Sequence, residues 1–169
     1  MTQSLLQRYF TRVFYVQLSP QRLTVRNAAT GEQISEVPEI AITKPPAKQR
    51  VVAVGAAARA VTDGTPVEVI NPFTHPRTLV SDFTVAEVLL KAFFKRMPSN
   101  GWAQLMPAPC AVMHPLGEWE GGLTQVELRA LRELALGAGA SNAYVWQGRT
   151  LTGAELLAKH LPADGVVDA

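Results

Sequence analysis

The spacing of hydrophobic and polar positions changes several times along the chain. Residues 13–18 (VFYVQL) form an almost unbroken apolar run, and in residues 22–27 (RLTVRN) Leu23 and Val25 alternate with Arg22, Thr24 and Arg26. A period of two buries one face of a strand and solvates the other. The spacing predicts a β-hairpin closed at Ser19-Pro20-Gln21, with strands at 13–18 and 22–27. Gly31 can take the positive φ that the next turn needs, so residues 33–37 read as the third strand of an antiparallel meander. Pro38 ends it. Short strands are predicted at 39–43, 51–54 and 67–70. Between them lie a basic, proline-stiffened loop (KPPAKQR, 44–50) and an Ala-rich helix over roughly 56–62.

The second half changes to helical spacing. Thr84 precedes Glu87, Thr124 precedes Glu127 and Thr152 precedes Glu155. Each pair fits a capping box, in which hydroxyl and carboxylate satisfy each other's orphan backbone N–H groups. Helices are expected from these points to about Met97, Gly137 and Leu161. Apolar runs at 110–114 and 143–146 lie between them, and strand–helix–strand–helix implies a parallel, right-handed crossover. Upstream, SLLQRYFTRVF places Leu5, Leu6, Tyr9, Phe10 and Val13 on one helical stripe beside Arg8 and Arg12. That segment reads either as a short amphipathic helix meeting a membrane or a partner, or as apolar residues packed under the sheet. The expected organisation is an amphipathic segment at 1–12, one lobe at 13–162 with an insert at about 38–72, and a flexible tail at 163–169.

Composition narrows the class. The chain has 169 residues, 47% hydrophobic and 18% charged, which fits a soluble globular protein with a core. No run of about 18 apolar residues could span a bilayer, and no stretch has the order of a secretory signal. The single cysteine, Cys110, excludes an internal disulfide and a Cys-rich metal site, and a reducing, cytoplasmic compartment is the simplest expectation. The net charge is +2. Residues 1–60 carry eight Lys/Arg against three Asp/Glu, and residues 61–169 carry eight against eleven. The basic half suits an acidic partner or an anionic membrane as well as an ordinary solvated surface.

Four stretches carry a family resemblance. VPEIAIT (37–43), VAVGAAARAV (52–61), DFTVAEVLLKAFFKRM (82–97) and TQVELRALRELALGAGA (124–140) occur in the order of similar stretches in the MreB family of bacterial actins. The last resembles that family's TQVERRAIRESALGAGA. The resemblance implies an α/β, ribonuclease H-like lobe of the actin-like ATPases: a mixed sheet with an antiparallel three-strand meander, parallel crossover strands flanked by helices, and a small α/β insert. The family's second half has no counterpart in the sequence, so a single lobe is expected.

The departures fall on chemistry. Where the family reads IDLGTANT, this chain reads VQLSPQRL (16–23), so Gln17, Ser19, Pro20 and Gln21 occupy the phosphate-loop positions. Gln17 supplies no anionic ligand for Mg²⁺, and Pro20 lacks an N–H for a phosphate cradle. The acidic IEEP strand end, which positions the attacking water in the family, falls on WQGR (146–149), with Gln147 and Gly148 in place of acids. A ribonuclease H-type nuclease would need acids on the first strand to hold two metals, and Gln17 stands there.

Other candidates read as structural. His75, His114 and His160 share no metal-ligand spacing, although His114 closes a strand at the edge of the expected cleft. Glu118 and Glu120 form an acidic pair in a Gly-flanked loop and are better read as solvated. Cys110 reads as a small buried hydrophobe, and Trp102 and Trp119 suit either a contact surface or packing over the sheet edge. The expectation is therefore a non-catalytic MreB-like protein with no metal, no cofactor and no nucleic acid. It would act in cell-shape or cytoskeletal organisation by self-association or on an MreB-type filament, at the inner face of the cell membrane. An ATP-binding relative with a rewired site, and a scaffold of a pilus or secretion assembly, remain the alternatives.

Overall fold

The computed structural model describes residues 12–45, 48–62, 64, 66–75, 78–98, 107–117, 121–158 and 161–168. The amphipathic-segment residues Leu5, Leu6, Arg8, Tyr9 and Phe10 lie outside them, as do Trp102, Glu118, Trp119, Glu120 and His160.

The apolar run and its alternating partner become β1 (Val13–Leu18) and β2 (Leu23–Asn27), paired antiparallel, with β3 (Gln33–Glu36) added beside β2. β7 (Cys110–Pro115) lies parallel to β1, and β8 (Asn142–Gln147) parallel to β7. The main sheet has the order β3-β2-β1-β7-β8-β9. Its last strand, β9 (Val166–Asp168), runs antiparallel to β8. Residues 166–168, within the 163–169 segment read from sequence as a flexible tail, therefore contribute a sheet edge. Three residues are too short a run for periodicity to reveal.

The insert forms its own sheet, β5-β4-β6, from β4 (Ile40–Thr43), β5 (Val51–Val54) and β6 (Val67–Ile70). Its Ala-rich stretch is a 3-10 helix over Gly55–Ala60 rather than an α-helix. Gly55 enters it at φ +67, and a Cβ there would strike the Glu36 carboxylate. That carboxylate accepts from Ala56 N–H (3.1 Å) and pairs with Arg96, so it joins β3, the insert and the first helix. Arg59 grips Glu39 with two bonds of 2.5 and 2.6 Å at the root of the insert.

Three α-helices follow among the described residues: α1 (Phe83–Arg96), α2 (Gln125–Gly137) and α3 (Gly153–Leu156). The capping boxes at Thr124–Glu127 and Thr152–Glu155 form as the spacing predicts. The one expected at Thr84 does not: Asp82 caps α1, accepting from Val85 N–H at 3.0 Å. Aspartate caps as well as threonine, and it lies two positions earlier. α3 is shorter than the expected run to Leu161, because its end tightens to an i→i−3 bond from Ala158 to Glu155.

Strand alternation sorts the core into two layers. Phe14, Val16, Ala111, Met113, Ala143 and Val145 face α1 and α2 in the larger cluster. Val13, Tyr15, Val112 and Trp146 face the other side, with Leu151 and Leu156. Val13, read as the last member of the N-terminal stripe, is thus a core residue of β1.

Candidate functional site

The C-terminal ends of the parallel strands β7 and β8 border a cleft of about 430 Å³, beside the end of β1. Crevices at the carboxyl ends of parallel strands are where open α/β sheets bind ligands. The cleft is lined by His114, Pro115, Leu116, Gly117, Gly122, Gln147, Gly148, Arg149 and Thr150. None of these carries a carboxylate, and no group of three His, Cys, Asp or Glu that could hold a metal occurs among the described residues.

Register places Gln17 beside His114 and Tyr15 beside Val112. Tyr15, Gln17 and His114 consequently point to the same face, and each finds a partner inside the chain. The Gln17 amide donates to Thr150 Oγ1 at 3.3 Å. Tyr15 Oη and His114 Nδ1 lie 2.5 Å apart, and His114 Nε2 lies 3.0 Å from Gly148 O. A carbonyl only accepts, so Nε2 must carry a proton. Tyr15 then donates to Nδ1 while its oxygen accepts from Leu151 N–H at 3.1 Å. The chain Leu151–Tyr15–His114–Gly148 is complete when the imidazole is neutral. His114 is 4% exposed. Burial holds its pKa below the ordinary histidine value, against an opposing contribution from the Gly148 hydrogen bond. Burial likewise raises the Tyr15 hydroxyl.

The hairpin turn bonds to itself. Ser19 N–H donates to Arg22 O at 2.9 Å, and Arg22 N–H donates to Ser19 Oγ at 3.0 Å and to Ser19 O at 3.3 Å. Pro20 offers no N–H, and its carbonyl accepts from Asn71 Nδ2 at 2.8 Å, fixing the turn to the segment after the insert. Gln21 is exposed. None of these turn residues lines the cleft, whereas Gln147 and Gly148 do. Gln147 Oε1 accepts from Leu123 N–H at 3.0 Å, just ahead of the α2 cap.

Arg149 is held by Glu155 (2.5 Å) and Asp164 (2.9 Å), and its carbonyl accepts from Trp146 Nε1 at 2.7 Å. Arg149 hydrogen-bonding lowers the Glu155 pKa to about 2. Sequence reasoning passed over Tyr15, Arg149 and Thr150. Alternation would have put Tyr15 on the same face as Gln17, but its pairing with His114 needs the β1–β7 register.

Cys110 and Arg12 sit apart from the cleft. Cys110, at the start of β7, is half-buried, and burial raises its thiol pKa. Arg12 donates to Pro107 O at 3.2 Å and lies over the Phe14 ring.

Residues 16–167 match the family model for the MreB/Mbl protein. This chain belongs to the MreB/Mbl family. The match falls on the N-terminal portion of that family. The cell shape-determining protein MreB of Escherichia coli (strain K12) is 37% identical over 98 residues, which are 56% of this chain and 26% of that protein. MreB of Haemophilus influenzae is 32% identical over 95 residues, 56% of this chain and 25% of its own length. The chain thus matches about a quarter of the length of these relatives. Among solved structures, MreB5 of Spiroplasma citri bound to AMPPNP gives a TM-score of 0.59 at 20% identity, covering 80% of this chain and 38% of that one. A non-polymerising MamK mutant bound to AMPPNP gives 0.61 at 16% identity, covering 80% and 40%. The fold is that of an actin-like ATPase portion, with the parallel crossover in the main sheet and a separate three-stranded antiparallel sheet.

Those two structures hold a nucleotide analogue. In this chain Gln17 is neutral and bonded to Thr150, and the Ser19 and Arg22 N–H groups close their own turn. Arg149 is already flanked by two carboxylates. No helix among the described residues is long and apolar enough to cross a membrane.

Proposed function

We propose that this MreB-family lobe neither holds nor hydrolyses a nucleotide and works through contacts with other proteins of the cell-shape machinery. The observation that carries this reading is the Gln17–Thr150 hydrogen bond. It puts a neutral amide, already partnered inside the chain, where the family's aspartate would face a metal.

The contact role rests on α2. Val126 there is 78% exposed, the largest exposure among the described large hydrophobic residues, and Leu136 on the same helix is 38% exposed. Val126, at the start of α2, is the apolar position this reading assigns to a protein contact. A full-length MreB filament is the partner this reading favours. The chain should pellet with filaments of Escherichia coli MreB, and Val126→Glu should abolish pelleting while leaving the melting temperature nearly unchanged. A parent chain that stays in the supernatant, or a Val126→Glu variant that pellets equally well, would contradict this role.

A further inference from the structure

The C-terminal segment leaves the lobe at Leu161, which packs against the smaller core cluster, and then meets it through backbone pairing to β8 and two ion pairs. At the near end Asp164 meets Arg149 at 2.9 Å, and at the far end Asp168 meets Arg132 on α2 at 3.7 Å. Between them Val166 and Val167 are 60% and 40% exposed, so β9 buries little apolar surface of its own. Yet it covers something large. Trp146 is fully buried, and a Cβ on Gly165 would lie 2.5 Å from Trp146 Cζ2 and 2.7 Å from Gln147 O. Glycine is required there because the segment lies directly against the indole.

From this we infer that residues 163–168 form an electrostatically latched strap, whose release uncovers Trp146 and the outer edge of β8. Both end contacts are ion pairs between partly exposed side chains; those of Arg149 and Asp164 are 48% and 53% exposed. Such pairs are individually weak and are screened by salt. The pairing to β8 is only three residues long. The larger core cluster on the α1/α2 face contains no strap residue, so the lobe keeps that core when the strap leaves. Release also changes the cleft, because Arg149 lines it. Arg149 would retain Glu155, which preserves the α3 cap. The freed β8 edge would offer unpaired backbone groups, the template to which another strand adds.

The test uses the full chain carrying Trp102→Phe and Trp119→Phe, so that Trp146 is the only indole. Asp164→Asn with Asp168→Asn should shift its emission to the red and increase quenching by acrylamide. Amide exchange should quicken at Val145–Gln147, while β1 and β7 stay protected. About 1 M NaCl, which cuts the screening length to roughly 3 Å, should produce the same shift in the parent and add little to the double variant. Unchanged emission and exchange in the double variant would overturn the latch. So would exchange that quickens equally in β1, β7 and β8, since that is unfolding rather than strap release.

Discussion

Trp146→Ala is expected to destabilise the chain by about 3–5 kcal/mol, the usual cost of truncating a buried large aromatic residue. The indole is fully buried on the face of the sheet that α3 covers, and it packs with Tyr15, Val112, Leu151 and Leu156. Its Nε1 donates to Arg149 O at 2.7 Å, so truncation also removes the bond that holds the Arg149 backbone over the sheet. Gly148 and Gly165 lie against the ring and cannot grow into the space it leaves. Small domains are typically stable by about 5–15 kcal/mol, so this single change would remove a large part of the total. Trp146→Phe keeps most of the apolar contact but orphans the Arg149 carbonyl, and should cost about 1–2 kcal/mol. Urea unfolding followed by far-ultraviolet circular dichroism measures both. An alanine variant within about 1 kcal/mol of the parent would mean that the indole is not packed as described.

His114→Phe should cost about 1–3 kcal/mol near neutral pH and flatten the acid side of the stability profile. The substitution leaves the Tyr15 hydroxyl without an acceptor and Gly148 O without a donor. The Tyr15 hydroxyl is buried, so its loss of an acceptor costs ~1–3 kcal/mol, whereas Gly148 is exposed at the cleft, where water can replace the donor. The pH effect follows from the depressed pKa. Burial disfavours the imidazolium in the folded chain, whereas the unfolded chain takes up a proton near pH 6.5. The contribution is therefore fully present above about pH 6.5 and is lost as pH falls below it through the lower folded value. The groups around this pair are Arg26, over the Tyr15 ring, with Arg149 and Glu155 beyond it. Glu155, depressed to about 2, contributes in a lower window: its stabilisation is present above the ordinary carboxylate range and disappears below it. Melting temperatures of parent and His114→Phe between pH 7.5 and 5 should converge as the pH falls. Parallel curves would show that His114 does not carry the acid sensitivity.

Much of the fold was legible because each strand has a local signature. The alternation of Leu23 and Val25 with polar neighbours, and the continuous apolar runs of β1, β7 and β8, locate the strands of the main sheet to within a residue or two. Threonine–glutamate spacing found α2 and α3, and it failed at α1 only because Asp82 offered an equally good cap earlier. β9 was missed because its pairing depends on β8 and on the clasp at Asp164, neither of which is written in residues 166–168. The same limit applies to the site. Gln17 and Gln147 stood out by side-chain type alone. What they bond to, Thr150 in one case and the Leu123 N–H in the other, lies 133 and 24 residues away and is fixed by strand register and loop packing. The Tyr15–His114 pair joins residues 99 apart and had no sequence signal of its own.

The most direct measurement is an isothermal titration of the full chain with Mg-ATP. Gln17 is bonded to Thr150, the turn at Ser19–Arg22 bonds to itself, and Arg149 is clasped by two carboxylates, which is what the proposed loss of nucleotide binding rests on. No saturable heat is expected up to about 1 mM ligand, the concentration at which binding would be worth only ~4 kcal/mol. Micromolar binding that disappears when magnesium is chelated would contradict the claim that this lobe has given up its nucleotide.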